Sequence, residues 1–239
     1  MIDIHSHILF NIDDGAETLE DSVKLCRDAA DNGVKLITAT PHFFDYSHIR
    51  SFVSERNHKI SVLREILDEE DIPISVAAGS ELFLNDKVFS AGDLDALTIN
   101  GSRYMLCEFP LGPFDIDRAP LWIDELVSRG YTPIVAHPER YIEFHRNLYI
   151  IDELLDREVV FQVNIDSLTG KNGEEPQKMA VDMVMRKIAL LIGSDAHDTE
   201  YRHTRLREKF KDLPEFIDER ILLDCMDKNA KAILKNEEI

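Results

Sequence analysis

Two histidines two residues apart, His5 and His7, stand in the first apolar run of the chain, "MIDIHSHILFNIDDG". Residues i and i+2 of a strand project to one face, so both imidazoles can meet at one ion. In the loop that follows, Gly15 is expected to free the backbone so that the Asp14 carboxylate swings back towards them. Other ligand types close later apolar runs: His42 in "TPH", Glu81 in "GSE", Glu108 in "LCEFP", His137 in "AHPER", Asp195 and His197 in "SDAH". A mixed nitrogen and oxygen set without thiolate suits Mn, Fe, Zn, Co or Mg. Each item alone has a plainer explanation. An H-x-H pair serves as surface polarity, "HPER" starts a helix with Pro138 in its first turn, and Glu108 faces water. Together they resist that explanation, because acids and imidazoles at the ends of buried strands are costly without a cation between them. His48, His58, His145 and His203 lie in helical or loop contexts and receive no role.

The elements that must position these residues alternate between short apolar runs and amphipathic stretches. Candidate strands are 2–5, 35–40, 74–79, 104–109, 132–137, 159–165 and 190–195, brief and rich in β-branched residues, as strands buried on both faces are. Helical spacing fills 18–33, 51–70, 119–130 and 176–187, and a final helix is expected from about Glu215 to Asn236. The first helix carries a capping box, Thr18 with Asp21, and ends at Gly33, suited to the C′ position. This alternation predicts an α/β chain with a parallel sheet, closed or nearly closed into a barrel, whose C-terminal rim gathers the ligand types. An open doubly wound sheet is the alternative, although neither G-x-G-x-x-G nor a P-loop sequence occurs. Without repeats or a long linker, 1–239 reads as a single domain.

Composition narrows the function classes. With 46 acids against 27 bases, the 239-residue chain carries a charge of −19, which disfavours nucleic acid and anionic membrane as partners. No run approaches the ~20 apolar residues of a membrane span. Cys26, Cys107 and Cys225 are widely spaced and odd in number, as reduced, buried thiols of a cytoplasmic protein would be. A cysteine-dependent phosphatase needs C-x5-R, but Asn32, Pro113 and Lys231 occupy the arginine positions.

Taken in order and spacing, "DIHSH", "DDG", "TPH", "GSE", "AHPER" and "SDAH" resemble the PHP (polymerase and histidinol phosphatase) superfamily. More narrowly they are similar to the metal-dependent bacterial tyrosine phosphatases found with capsule and exopolysaccharide genes. The likeness runs from Met1 to at least Arg202 and extends towards the last helix. It implies a distorted (β/α)7 TIM-like barrel with three divalent ions, Mn2+ first, with Fe, Co, Zn or Mg as alternatives. By motif, one ion would take His5, His7, Glu81 and Asp195, and a second Glu81, Glu108 and His137, with Glu81 bridging. The third would take Asp14, His42 and His197. Arg140 and Arg202 match the phosphate-binding positions, with Arg205 as the substitute for Arg202. The implied substrate is a phosphotyrosine protein, an autophosphorylated bacterial tyrosine kinase of polysaccharide export.

The expected reaction is hydrolysis without a phosphoenzyme: water activated between two cations attacks phosphorus in line while the arginines bind the remaining oxygens. Tyrosine's phenol, of pKa about 10, leaves readily, so the demand for a general acid is modest. None is clearly marked, although His42 and His197 stand nearby. Phe109 or Phe114 is the candidate to stack on the substrate ring, against the plainer reading of both as core. The rivals are a small-molecule phosphomonoesterase such as histidinol-phosphate phosphatase, a nuclease, an amidohydrolase and a metal-stabilised scaffold for a kinase partner. The −19 charge disfavours the nuclease, and the amidohydrolase lysine has no counterpart. Three to four ligands per ion leave coordination positions open, which favours an enzyme over a scaffold. The terminal helix suits packing on the domain and dimerisation alike, so an oligomer is compatible with the sequence.

Overall fold

The computed structural model describes residues 1–239. Nine parallel strand segments run in the order β1 (Ile2–Ser6), β2 (Leu36–Ala39), β3 (His42–Phe43), β4 (Ser75–Ala78), β5 (Glu81–Phe83), β6 (Tyr104–Glu108), β7 (Thr132–Ala136), β8 (Val160–Asn164) and β9 (Ala189–Gly193). They make seven staves, because β2 and β3 are halves of one strand, as are β4 and β5. The first break falls at Pro41, which has no N–H to give to a ladder. The backbone nonetheless stays in line, with Gly79 N–H donating to Ala39 O and Glu81 N–H donating to Pro41 O across the breaks.

The breaks divide the staves into two sheets, β1-β2-β4 and β3-β5-β6-β7-β8-β9. The seam between β9 and β1 is joined by one bridge, Ser6 to Ala196, with the Asp195 and His7 amides donating to His5 O and Ala196 O. The result is a distorted (β/α)7 barrel whose hydrogen-bonded wall does not close.

Inside, Ile4, Tyr104, Leu106, Ile134, Ala136, Val160 and Leu191 form an apolar cluster with Ala230 and Ile233 of the terminal helix. Opposite-parity residues such as Cys107, Val135, Phe161 and Ile192 join the larger core outside the barrel. That layer takes the apolar faces of α1 (Leu19–Asp31), α2 (Ile49–Glu69) and α3 (Arg118–Ser128). The capping box of α1 forms in both directions, Asp21 N–H to Thr18 Oγ1 and Thr18 N–H to the Asp21 carboxylate, each at 3.1 Å.

The terminal helix differs from expectation. It begins at Glu219, where the Asp218 side chain accepts from Arg220 N–H at 2.8 Å, and passes through a wide turn at Asp224–Asn229. It ends at Leu234, two residues before Asn236, which adopts a positive φ of 60°. Asp218 is the better cap, so the start lies four residues beyond Glu215.

Candidate metal centre

Strand parity decides which side chains reach the C-terminal mouth. On β6, Glu108 continues the inward series of Tyr104 and Leu106, and on β8 Gln162 and Asn164 continue that of Val160. β1 changes parity: Ile2 and Ile4 face the barrel cluster, whereas His5 and His7 face the mouth, and the pairing is irregular between Asp3 and Ser6. His137 also breaks parity, following inward Ala136 with a left-handed φ of 33°. Asp195 has φ 51°. Left-handed backbone at non-glycine residues costs on the order of 1–3 kcal/mol, and such strain clusters at functional sites.

Gly193 and Gly15 make room for the two histidines. A Cβ on Gly193 would stand 2.8 Å from that of His5, and one on Gly15 would stand 2.1 Å from His7 O. Gly15 therefore serves close approach to His7 rather than freedom for Asp14.

The rings of His5 and His7 are fixed from behind. His5 Nδ1 donates to Gln162 Oε1 and His7 Nδ1 to Asp13 Oδ2, each at 2.7 Å. Gln162 is oriented in turn by donating its amide to Asn164 Oδ1 at 2.9 Å. Both Nε2 lone pairs therefore face each other at 3.2 Å. Glu81 Oε2 lies 3.2 Å from each Nε2, and Asp195 Oδ1 lies 3.6 Å from each. Four Lewis bases in a water-excluded space repel unless a cation sits among them. Ligands about 2.1 Å from a tetrahedral ion are separated by roughly 3.4 Å, which these spacings bracket.

Glu81 reaches to both sides. Its Oε1 is 3.1 Å from His137 Nε2, while Oε2 is 3.1 Å from His42 Nδ1. Glu108 spans the same pair, at 3.6 Å from each ring. Asp14 Oδ1 lies 3.5 Å from His42 Nε2 and 3.4 Å from His197 Nε2. His197 Nδ1 donates to Asp195 O at 3.0 Å, again leaving Nε2 free. Three donor sets are compact enough for an ion: His5, His7 and Glu81; His42, Glu81 and Glu108; His7, Asp14, His42 and His197. His7, His42 and Glu81 are each shared between two sets, and His137 and Asp195 stand beside them at Glu81 and His5, so that the nine ligand-type residues singled out in the sequence lie at one mouth.

The electrostatics match. Burial lowers the pKa of the His5 ring, but the Glu81 and Asp195 carboxylates overcome this and raise it. A field that would retain a proton there also attracts a divalent cation. Burial and the charges of Glu81 and Asp195 push Glu108 up to about 9, so its ionisation needs a positive neighbour. Burial and the charge of His7 bring His42 down to about 4, leaving a neutral imidazole able to ligate. Buried Nδ1 of His42 and Oε2 of Glu81 have no hydrogen-bond partner. The donor set fits divalent metal.

Arg140 Nη1 pairs with Asp195 Oδ2 and Arg202 Nη2 with Asp195 Oδ1, each at 2.8 Å. Arg205 points elsewhere, to Asp28 on α1, to Glu208 and to Thr199 O. Phe109 is fully buried, stacked with Phe114 and Trp122, and Phe114 packs against the same core. Neither Phe stands at the mouth. All three cysteines are buried, and burial pushes Cys26 and Cys225 up to about 12, away from nucleophilic use.

Sequence reasoning overlooked Asp13, Gln162 and Asn164. Asp13 fixes His7, accepts from the His42 amide at 3.0 Å and accepts from the Gly15 amide at 3.0 Å. The signal was the alternation in "VFQVN", which puts Gln162 and Asn164 on the parity of Val160.

The family model for capsular polysaccharide synthesis, CpsB/CapC, matches residues 1–235. The tyrosine-protein phosphatase YwqE of Bacillus subtilis (strain 168) is 32% identical over all of this chain and 93% of the relative. The tyrosine-protein phosphatase CpsB of Streptococcus agalactiae serotype III (strain NEM316) is 27% identical, with both chains covered in full. Among solved structures, one described with YwqE of Bacillus subtilis and CpsB of Streptococcus pneumoniae as unique metal-dependent tyrosine phosphatases superposes with a TM-score of 0.83 at 30% identity. It covers 100% of this chain and 96% of that one. A histidinol phosphate phosphatase of Lactococcus lactis shares the fold at a TM-score of 0.51 and 14% identity, covering 87% of this chain and 94% of that one. The chain belongs to the CpsB/CapC family of capsular polysaccharide synthesis.

Proposed function

We propose that the chain is a metal-dependent protein-tyrosine phosphatase acting in capsule or exopolysaccharide synthesis, with 1–239 as one catalytic domain. The observation that carries this reading is the convergence of His5, His7, Glu81 and Asp195 on one buried point, with two arginines on the last of them. The names of the relatives supply the substrate class.

Three divalent ions, Mn2+ foremost, would be held by His5, His7, Asp14, His42, Glu81, Glu108, His137, Asp195 and His197. When bound, such ions neutralise phosphoryl charge and acidify water towards hydroxide. The protein's own groups supply the rest. Arg140 and Arg202 are the phosphoryl-binding residues, since each planar guanidinium has donors to spare beyond the one bond to Asp195. Gln162 and Asp13 hold the His5 and His7 rings in the tautomer that presents Nε2 to the site. With a phenol as leaving group, no strong general acid is required.

A phosphorylated bacterial tyrosine kinase is the proposed partner, and reduced buried thiols favour a cytoplasmic setting. No helix is long and apolar enough to cross a membrane. The test is phosphate release from a phosphotyrosine peptide, a phosphoserine peptide and histidinol phosphate, with EDTA and after Mn2+ is restored. Chelator-sensitive, tyrosine-selective turnover is expected. Equal rates on all three substrates would remove the tyrosine assignment.

A further inference from the structure

We infer that Phe44, backed by Phe83, is the platform on which the aromatic ring of the substrate stacks, and so is a specificity-determining residue. The inference rests on the phosphatase reading above. β3 and β5 pair with His42 opposite Glu81 and Phe43 opposite Leu82. Side chains alternate along a strand, so the residues next after His42 and Glu81 on their face are Phe44 and Phe83. Phe43 and Leu82, on the other face, are buried in the core. Phe44 is 52% exposed, although its ring centre is 5.1 Å from that of His42 and 5.3 Å from that of Phe83. The Tyr46 hydroxyl donates to Phe83 O at 2.9 Å and holds this segment in place.

Two metal-ligand candidates on neighbouring strands are thus each followed, one pleat on, by a phenyl ring. One of those rings, Phe44, is half open to solvent next to the imidazole of His42 and the ring of Phe83. A phosphotyrosine anchored by its phosphoryl group carries its ring one ester bond away, and offset or tilted pairing with Phe44 would cover both apolar faces. An alkyl phosphate has no such ring. Tyr201, 73% exposed, lines a cleft of about 440 Å³ with Asp14 and His197, and is the other exposed aromatic near the site.

The experiment compares the wild type with Phe44→Ala, Phe44→Trp and Tyr201→Ala, all loaded with Mn2+. It measures kcat and KM on a phosphotyrosine peptide and on the matching phosphoserine peptide. It also measures the affinity for a peptide carrying non-hydrolysable phosphonomethyl-phenylalanine, and Mn2+ content per chain. Phe44→Ala should raise KM for phosphotyrosine and weaken the phosphonate peptide by about tenfold, the upper end of an aromatic pair's worth. Phe44→Trp should restore both, with Mn2+ content at the wild-type level throughout. Full retention of the tyrosine preference in Phe44→Ala would overturn the inference and leave the phosphatase reading standing. Loss of Mn2+ in step with activity would overturn it too, by showing that Phe44 acts only through His42, as would a collapse of preference confined to Tyr201→Ala. A wild type that hydrolyses no phosphomonoester would overturn both readings.

Discussion

Arg202 lies 2.8 Å from Oδ1 of Asp195, the same oxygen that stands 3.6 Å from the Nε2 atoms of His5 and His7. The Arg202 side chain is 36% exposed and that of Asp195 3%, so Arg202 links the buried cluster of candidate ligands to the solvent side of the mouth. Arg140 does the same through Oδ2. A charge-assisted hydrogen bond contributes about 1.5–3 kcal/mol. Arg140→Ala and Arg202→Ala should each lower kcat/KM for a phosphotyrosine peptide on the order of 10- to 100-fold. Arg205→Ala, which loses Asp28, Glu208 and the Thr199 carbonyl but no contact with Asp195, should stay within about threefold. Steady-state kinetics of the three variants decide it, and a larger loss at Arg205 would exchange the roles.

Asp13 carries a separate prediction. Its Oδ2 accepts from both His7 Nδ1 and the His42 amide, so one oxygen sets the ring of one ligand candidate and the backbone of another. Replacing such supporting partners typically costs 10- to 100-fold in metal affinity. Asp13→Asn should weaken Mn2+ binding by about that factor in calorimetric titration, and Gln162→Leu, which frees His5 Nδ1, should do likewise. Unchanged affinity in both would mean that His5 and His7 are not oriented for metal.

Metal removal should show in stability as well as activity. Lewis bases that repel one another would be reconciled by bound ions, and a ligand that binds the native state alone stabilises it by about 4 kcal/mol at a thousandfold excess over Kd. For a chain of 239 residues that is roughly 10 °C in Tm per tightly bound ion. Thermal melts with EDTA and with restored Mn2+ measure it. Glu81→Gln should abolish most of the difference, because Glu81 belongs to two of the three donor sets.

His203 gives a pH prediction away from the metal cluster. Burial lowers its pKa to about 4, helped by the charges of Lys209, Arg205 and Lys171 and opposed by Asp166. The folded ring therefore stays neutral while the unfolded ring takes a proton below its ordinary 6.5. Unfolding then binds protons, so stability should fall as pH drops from about 6.5 towards 4. Denaturant midpoints across that window should decline less steeply in His203→Asn than in the wild type. Identical slopes would place the titration elsewhere.

Much of the fold and site was legible because ligand chemistry and strand parity leave marks in sequence. Glu108 after Tyr104 and Leu106, and Asp195 after Leu191, follow inward series readable by counting in twos. His137 does not, since its placement depends on a left-handed backbone that no residue type announces there. The split of the second and third staves was also hidden. Pro41 hinted at the first break, but the second, at Gly79 and Ser80, depends on a distant helix. Phe109 misled because proximity to Glu108 in sequence says nothing of direction, and the next residue along a strand faces the opposite side.

That distant helix supplies the last prediction. Arg56 of α2 is 3% exposed and donates through Nη1 to Gly79 O at 2.9 Å and Ser80 Oγ at 3.0 Å. The Gly79 carbonyl released by the break between β4 and β5, which also accepts from the Ser80 hydroxyl at 2.8 Å, is thereby satisfied two residues before Glu81 enters the site. Arg56→Met keeps apolar bulk but removes its hydrogen bonds to Gly79 O and Ser80 Oγ, leaving that carbonyl with the Ser80 hydroxyl alone, at a cost of about 1–3 kcal/mol. In this chain that corresponds to a Tm lower by roughly 5 °C. The functional consequence is separable, because Glu81 contributes both oxygens to the cluster. If Arg56 fixes its approach, Mn2+ affinity should drop by about tenfold even at temperatures where the variant is fully folded. A stability loss with unchanged affinity would show that Arg56 serves the wall of the barrel alone, and that Glu81 is held by its own neighbours.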